Sequence, residues 1–455
     1  MTHLPSGWVT ASLGEIVAPA AKRLVPSPGD DSAYLSMEHV ESGTNRILAR
    51  GRAGDMKSAG MVFGEGDTLY GRLRPYLNKV CRPPFDGVAS AEFIVFKATP
   101  ALAPGFLLYF LSQPDFVSFA TLANEGDRPR VKWSQLASYP VKLPPLDEQR
   151  RIVAAIEEQF SRLDVGVASL ERAKRNIARV RASILSAAVT GRLVPQDPTD
   201  EPAAVLLANV GAAVVARRRP KLRRIDLNGL PPSGWAQTRI ADVVVTLDYG
   251  SSAKATSEPD AGVPILRMGN IQDGEILFDD LKYLPTTHPD SSAFVLTAGD
   301  LLFNRTNSPE LVGKCAVFRG ADAPVAFASY LVRARTAPGV DPRYLSFWIN
   351  SSPGRKYIAE VRSQQVGQAN VNATKLAEMP IWLPPEAEQT RIVEEVDRHL
   401  SVLKSMSHAI EVARLRANRL RQAILREAFT GRLTSPASPG EFAPTACVCP
   451  DAEGK

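Results

Sequence analysis

Few residues of this 455-residue chain are arranged for covalent chemistry. Arg82-Pro83-Pro84-Phe85 has the outline of the Pro-Pro-aromatic motif used in adenine-N6 methyl transfer. The first position of that motif must accept a hydrogen bond from the amino group, and arginine only donates. Val312-Gly313-Lys314-Cys315 lacks the spaced glycine and the hydroxyl of a phosphate loop, and no G-x-G-x-x-G occurs. The five histidines (His3, His39, His288, His399, His408) have no H-E-x-x-H spacing, and no zinc site is expected. Cys447-Val448-Cys449 sits in a Pro-rich tail that reads as disordered, with metal or redox use as the alternative. No Gly-x-Ser-x-Gly elbow or triad is visible. The sequence therefore shows no recognisable active site.

The elements that would position such chemistry announce themselves by repetition. Residues 143–193 open LPPLDEQRRIV and close TGRL, and residues 383–433 open LPPEAEQTRIV and close TGRL. The offset is 240 throughout without a gap, and 21 of 51 positions are identical. This is a duplication. Ahead of each block the match is looser: Pro5-Ser6-Gly7-Trp8 recurs as Pro232-Ser233-Gly234-Trp235, and Gly66-Asp67-Thr68-Leu69-Tyr70 as Gly299-Asp300-Leu301-Leu302-Phe303. Tyr109-Phe110-Leu111-Ser112 likewise has a counterpart in Phe347-Trp348-Ile349-Asn350. The order is variable unit, shared block, variable unit, shared block.

Each shared block predicts a long helix. Pro145 and Pro385 precede it, and acidic residues fill the first turn, where the helix dipole favours negative charge. Apolar residues follow at Ile152, Ile156, Phe160, Leu163, Val167, Leu170, Ile177 and Ile184, then at Ile392, Val396, Leu400, Leu403, Ile410, Ala417 and Ile424. Steps near 4 and 3 are those of a coiled-coil seam. Gly191 and Gly431 stand where a C-terminal cap is expected. About 45 residues at 1.5 Å per residue make a rod of roughly 65 Å. A helix with one bare stripe needs a partner, so the two copies are expected to pack on each other. Lys174, Arg181, Arg414 and Arg421 interrupt the seam, to pair with acids or to contact another protein.

The variable units alternate strand-like runs, such as Glu92–Lys97, Val263–Met268 and Leu331–Arg335, with short helices at Pro104–Leu111 and Pro342–Ile349. That mixture predicts α+β units of about 140–150 residues. Residues 194–229 read as a short helix near Glu201–Leu207 and a basic linker, Arg217–Arg224, either solvated or touching a phosphate backbone.

Composition sets the outer bounds. Hydrophobic residues are 44% and charged residues 22%, the proportions of a globular chain. No run of about 18 apolar residues exists, so no membrane span is expected. The N-terminus has no basic segment followed by an apolar one, and four cysteines in a chain of this size suit a reducing cytoplasm. The net charge of +6 permits a nucleic-acid partner without demanding one. Arginine far outnumbers lysine, which a GC-rich genome would also produce.

The duplicated unit, with LPP-x-x-EQ opening a long helix and TGRL closing it, resembles the specificity subunits of type I restriction–modification systems from Leu4 to Leu433. The resemblance implies two globular target-recognition domains separated by two long antiparallel coiled-coil helices in a pseudo-two-fold repeat. Domain 1 would span 1–142, the central helix 143–193, a helix and basic linker 194–229, domain 2 230–382, the second long helix 383–433, and a disordered tail 434–455. Each domain would read one half of a split, asymmetric target on double-stranded DNA. The subunit would be non-catalytic and would scaffold two methyltransferase subunits and further restriction/translocase subunits. S-adenosylmethionine, ATP and Mg would belong to those partners alone. Two similar domains on a helical spacer suit half-sites about one turn, roughly 34 Å, apart.

At positions matching the family, the run after Gly-Asp supplies Tyr70, Arg72, Arg74 and Lys79 in the first unit and Asn304, Arg305, Asn307 and Lys314 in the second. A second polar loop before each final strand supplies Arg128, Arg130 and Lys132, then Gln364, Gln365, Gln368, Asn370 and Asn372. Arginine grips guanine O6/N7 in a bidentate manner and asparagine does so for adenine N6/N7. Tyr70-Gly71-Arg72 departs from Phe303-Asn304-Arg305, so the two units are expected to read different bases. The alternative is a coiled-coil adaptor whose variable units bind proteins, without DNA sequence specificity.

Overall fold

A computed structural model describes residues 5–123, 129–210, 230–259, 262–365 and 368–434. Arg128, the basic linker Arg217–Arg224 and the Cys447/Cys449 tail lie outside the described residues. The chain forms two compact units, Met1–Glu171 with Glu411–Lys455, and Arg172–Ile410. Each unit thus contains one variable region together with half of each long helix.

In the first unit, Val9–Ser12 pairs antiparallel with Pro140–Leu143, Val9 opposite Leu143 and Ser12 opposite Pro140. This two-stranded clasp closes the variable region at its base. Above it lie a five-stranded sheet, in the order Arg23–Leu24, Gly60–Phe63, Gly87–Ala89, Ala33–Leu35, Gly51–Arg52, and a three-stranded sheet with Thr68–Gly71 at its centre. The neighbouring strand Phe93–Phe96 is buried at all four positions, which is why its sequence is apolar without alternation. Phe106–Ser112 and Pro114–Leu122 are the helices beside it.

The second unit repeats the scheme. Ala236–Arg239 pairs antiparallel with Pro380–Leu383, Ala236 opposite Leu383. A four-stranded sheet runs Val244–Tyr249, Leu331–Thr336, Leu301–Asn304, Cys315–Val317, and helix Pro342–Asn350 accompanies it. Gly262–Leu266 is the central strand of a separate three-stranded sheet. The short helix after the first shared block is Ala203–Val210.

The long helices are Leu146–Val189 and Glu386–Phe429, 44 residues each. They start three residues later than the shared blocks do. Leu143 and Leu383 end strands, because each residue ahead of a proline is pushed towards extended backbone. Both helices end in the same cap: Gly191 (φ +67°) and Gly431 (φ +78°) turn left-handed, and the Arg192 and Arg432 amides reach back to the Ala187 and Glu427 carbonyls at 3.0 and 3.1 Å. A side chain at Gly431 would collide with Pro5, and one at Gly191 with Pro232. The recurring Pro-Ser-Gly-Trp and Thr-Gly-Arg-Leu segments are therefore two sides of one junction.

In the first unit, Ile152, Ile156 and Phe160 of one long helix and Ile424, Leu425 and Phe429 of the other share a buried cluster with Trp8, Phe106 and Phe110. Asp164 pairs with Arg421, and Glu171 with Arg414 at 3.7 Å, so seven residues forward on one helix is seven back on the other. The helices run antiparallel there. In the second unit Arg181 donates to the Asp273 carbonyl, and Lys404 meets Glu275 at 2.8 Å, so both helices hold the hairpin Ile271–Ile276. Arg181, Arg414 and Arg421 thus find partners inside their own units. Val402, Met406, Leu415 and Leu420 remain exposed on the second long helix.

The Glu-Gln of each shared block is a staple. Gln149 accepts the Ala103 amide at 2.9 Å and donates to the Pro144 carbonyl at 3.0 Å. Gln389 accepts the Asp341 amide at 2.8 Å and donates to the Pro384 carbonyl at 3.1 Å. Both glutamines are buried. Glu388 accepts the Trp235 indole N–H at 2.8 Å, whereas Glu148 accepts from Thr434 and pairs with Arg151.

Candidate nucleic-acid interface

In the first unit the two polar loops, some 57 residues apart in the chain, are hydrogen-bonded to each other. Leu73 and Arg130 form an antiparallel bridge, the Arg74 amide donates to Pro129 at 2.7 Å, and the Val131 amide donates to Arg72 at 3.0 Å. Glu92 anchors the cluster: it accepts from Arg130 at 2.9 Å and stands 3.9 Å from Arg72. Burial, reinforced by the adjacent Arg130 and Arg23, pulls the pKa of Arg72 down, and Glu92 opposes that shift. Two guanidiniums thus share one carboxylate. Arg74 is exposed in left-handed backbone (φ +51°), beside exposed Tyr76. Lys132 is also exposed.

The second unit brings its two loops together in a three-stranded sheet of Thr306–Asn307, Gln368–Asn370 and Ser363–Gln365. Thr306 lies opposite Asn370, Asn307 and Gln364 opposite Ala369, and Gln365 opposite Gln368. Arg305 sits at the entry to this sheet. Its amide donates to the Tyr330 carbonyl at 3.0 Å, its carbonyl accepts the Val371 amide at 2.8 Å, and its Nε donates to the Ser329 carbonyl at 2.7 Å. The guanidinium carbon lies 4.9 Å from the centre of the Tyr249 ring. Asn370 donates to the Thr306 hydroxyl at 2.7 Å, Asn307 accepts the Ser308 amide, and Gln368 is exposed.

Residues 76–166 and 232–412 match the family described as the type I restriction modification DNA specificity domain. The chain belongs to that family. The specificity subunit of the EcoKI type I restriction enzyme of Escherichia coli K12 is 24% identical over 77% of this chain and 68% of its own length. That of the EcoEI enzyme of Escherichia coli is 22% identical over 90% of this chain and 80% of its own. A chain from a solved structure on complex assembly and conformational transition of the type I R-M system shares the fold, with TM-score 0.60 at 22% identity, covering 95% of this chain and 100% of that one.

Within this specificity subunit, two sequence-predicted residues, Tyr70 and Asn304, are turned inward. Tyr70 is buried, with its ring edge-on to Phe116 and its hydroxyl unpartnered; desolvation drives its pKa far up. Asn304 is fully buried and donates to the Met268 carbonyl at 3.2 Å. Both lie in strands that are buried on each face, Thr68–Gly71 and Leu301–Asn304, so no outward direction remains for them. Lys79 donates to the Met37 carbonyl at 2.6 Å. Lys314 lines a cavity of about 240 Å³ with Arg181, Leu185, Leu400 and Arg355. Asn372 caps a helix by accepting the Lys375 amide at 2.9 Å.

Sequence reasoning passed over Glu92, Tyr249 and Tyr330. Tyr249 and Tyr330 are 43% and 45% exposed. Their sequence signal, isolated tyrosines beside Gly250 and Leu331, is too ordinary to single them out. Among the described residues, no group of three or more His, Cys, Asp or Glu side chains is placed to hold a metal ion, and no helix is long and apolar enough to cross a membrane.

Proposed function

We propose that each unit reads one half of a split, asymmetric sequence on double-stranded DNA through its paired polar loops. The observation that carries this is the convergence around Arg72 in one unit and Arg305 in the other, at matching positions but with different neighbours. Guanidinium and amide groups gathered on paired loops suit base-edge contact, and backbone amides and exposed cations suit phosphate contact. The proposed reading set is Arg72, Arg74, Arg128, Arg130 and Lys132, then Arg305, Asn307, Gln364, Gln368 and Asn370. Different neighbours imply different half-sites.

The recognition domains are taken as 1–142 and 230–382, the long helices as 143–193 and 383–433, and 194–229 as helix and linker. The seam spacing of the helices suits an antiparallel coiled coil that sets the distance between half-sites. Val402, Met406, Leu415 and Leu420, exposed on the second helix, suit a scaffold covered by two methyltransferase subunits, with restriction/translocase subunits beyond them. In this reading the subunit is non-catalytic and works in the cytoplasm, and S-adenosylmethionine, ATP and Mg act on its partners.

The test is reconstitution with the methyltransferase subunits, followed by mapping of methylated adenines. The expected result is one bipartite motif with unlike halves. Methylation without sequence preference would overturn the reading.

A further inference from the structure

We infer that Arg305 reads a guanine in the half-site of the second unit, and that Tyr249 is the positioning residue that fixes its guanidinium plane. This rests on the DNA-reading function proposed above and assigns chemistry to one position within it.

The backbone of Arg305 is held on both sides, by the Tyr330 carbonyl and the Val371 amide. Its Nε is used internally, at 2.7 Å from the Ser329 carbonyl. Its guanidinium stacks on Tyr249, whose hydroxyl is itself fixed by accepting the Ala373 amide at 3.1 Å. Position, tilt and plane are therefore set before any ligand arrives. The two terminal nitrogens meet no acceptor among the described residues, and neither is among the buried unpartnered atoms, so both stay in contact with solvent.

That is the donor pair a guanine edge requires. O6 and N7 accept two parallel N–H bonds lying in the base plane, so the contact rewards a guanidinium whose plane is already fixed. A phosphate contact needs charge and reach, for which an unanchored arginine or lysine serves equally. Arg72, the matching residue of the first unit, is held differently: no ring among the described residues is stacked on it, its Nε lacks a hydrogen bond among them, and Glu92 stands beside it. The arrangement at Arg305 thus belongs to one half-site.

The experiment uses the full chain assembled with its methyltransferase subunits and maps adenine methylation for Arg305→Ala, Arg305→Lys, Tyr249→Leu and Tyr249→Phe. Arg305→Ala is expected to erase guanine preference at one position of one half-site, a loss of roughly 5- to 150-fold, with the other half-site unchanged. The intact half-site reports that the chain is folded. Arg305→Lys keeps the charge but not the fork and should lose the same preference; wild-type discrimination would overturn the inference and does so even if Arg305→Ala fails to fold. Tyr249→Leu should weaken the same position about twofold to fivefold, and Tyr249→Phe, which keeps the ring, should retain it. Equal loss of methylation at every sequence in Arg305→Ala would mark a phosphate contact, and wild-type discrimination in Tyr249→Leu would remove its positioning role. A wild-type complex with no motif at all would instead sink the broader proposal.

Discussion

The Arg421 guanidinium lies 4.2 Å from the centre of the Phe160 ring while pairing with Asp164, so one cation joins the two long helices in the first unit. Arg421 is 6% exposed, whereas Asp164 is about half exposed. The stacked contact is desolvated and outweighs the screened ion pair. Arg421→Ala is expected to destabilise the first unit by about 1–2 kcal/mol, and Asp164→Ala by less than about 1 kcal/mol. Chemical denaturation of both variants checks the order; equal losses would show that the ion pair dominates.

Gln149 and Gln389 are polar residues in buried positions, and each satisfies a backbone amide and a backbone carbonyl. Replacing either by leucine keeps the bulk and orphans both groups, at about 1–3 kcal/mol for each. Gln149→Leu should loosen the first unit and Gln389→Leu the second. Hydrogen exchange at Ala103 and at Asp341 reads this locally, and unchanged protection at both would reject the staple.

How much of this was legible in the sequence depends on range. The long helices were, because Pro145 and Gly191 act on their own neighbours in the chain. The duplication was too, though not the clasp strands, such as Val9–Ser12 with Pro140–Leu143, that close each variable region. What escaped was long-range pairing: nothing local brings Leu73 to Arg130 or Thr306 to Asn370. The same limit explains Tyr70 and Asn304. A polar residue late in a strand looks outward in sequence, and only packing on both faces of that strand turns it in. The acceptor of Lys79, the Met37 carbonyl, likewise lies 42 residues away.

Glu388 is buried beside Trp235, and desolvation raises its pKa against the pull of the indole hydrogen bond and Arg391. A raised folded-state pKa means that the fold holds the proton more tightly than the unfolded chain does. The resulting stabilisation is complete below the ordinary carboxyl pKa, about 4.3, and fades as pH rises through the raised value. Glu388→Gln keeps an acceptor for Trp235 and removes the titration. The melting temperature of the wild type relative to this variant should therefore rise as the pH falls from neutral towards the acid range. A pH-independent difference would mean that Glu388 does not titrate differently on folding.

Glu92 holds Arg130 at 2.9 Å and stands 3.9 Å from Arg72, so DNA must compete with this carboxylate for two candidate contacts in the first unit. Lys132 meets no such competition from Glu92 and is exposed. If Lys132 neutralises one phosphate, Lys132→Ala lowers the slope of log affinity against log salt by about 0.9, equally on matched and mismatched duplexes. Glu92→Gln acts in the opposite direction. It releases the guanidiniums, tightens binding to any duplex and steepens the salt dependence, while the preference for the first half-site relaxes and that for the second is kept. Titrations of the assembled complex against matched and mismatched duplexes at several salt concentrations measure both. An unaltered slope in Glu92→Gln would show that the carboxylate does not hold its arginines back from the phosphate backbone.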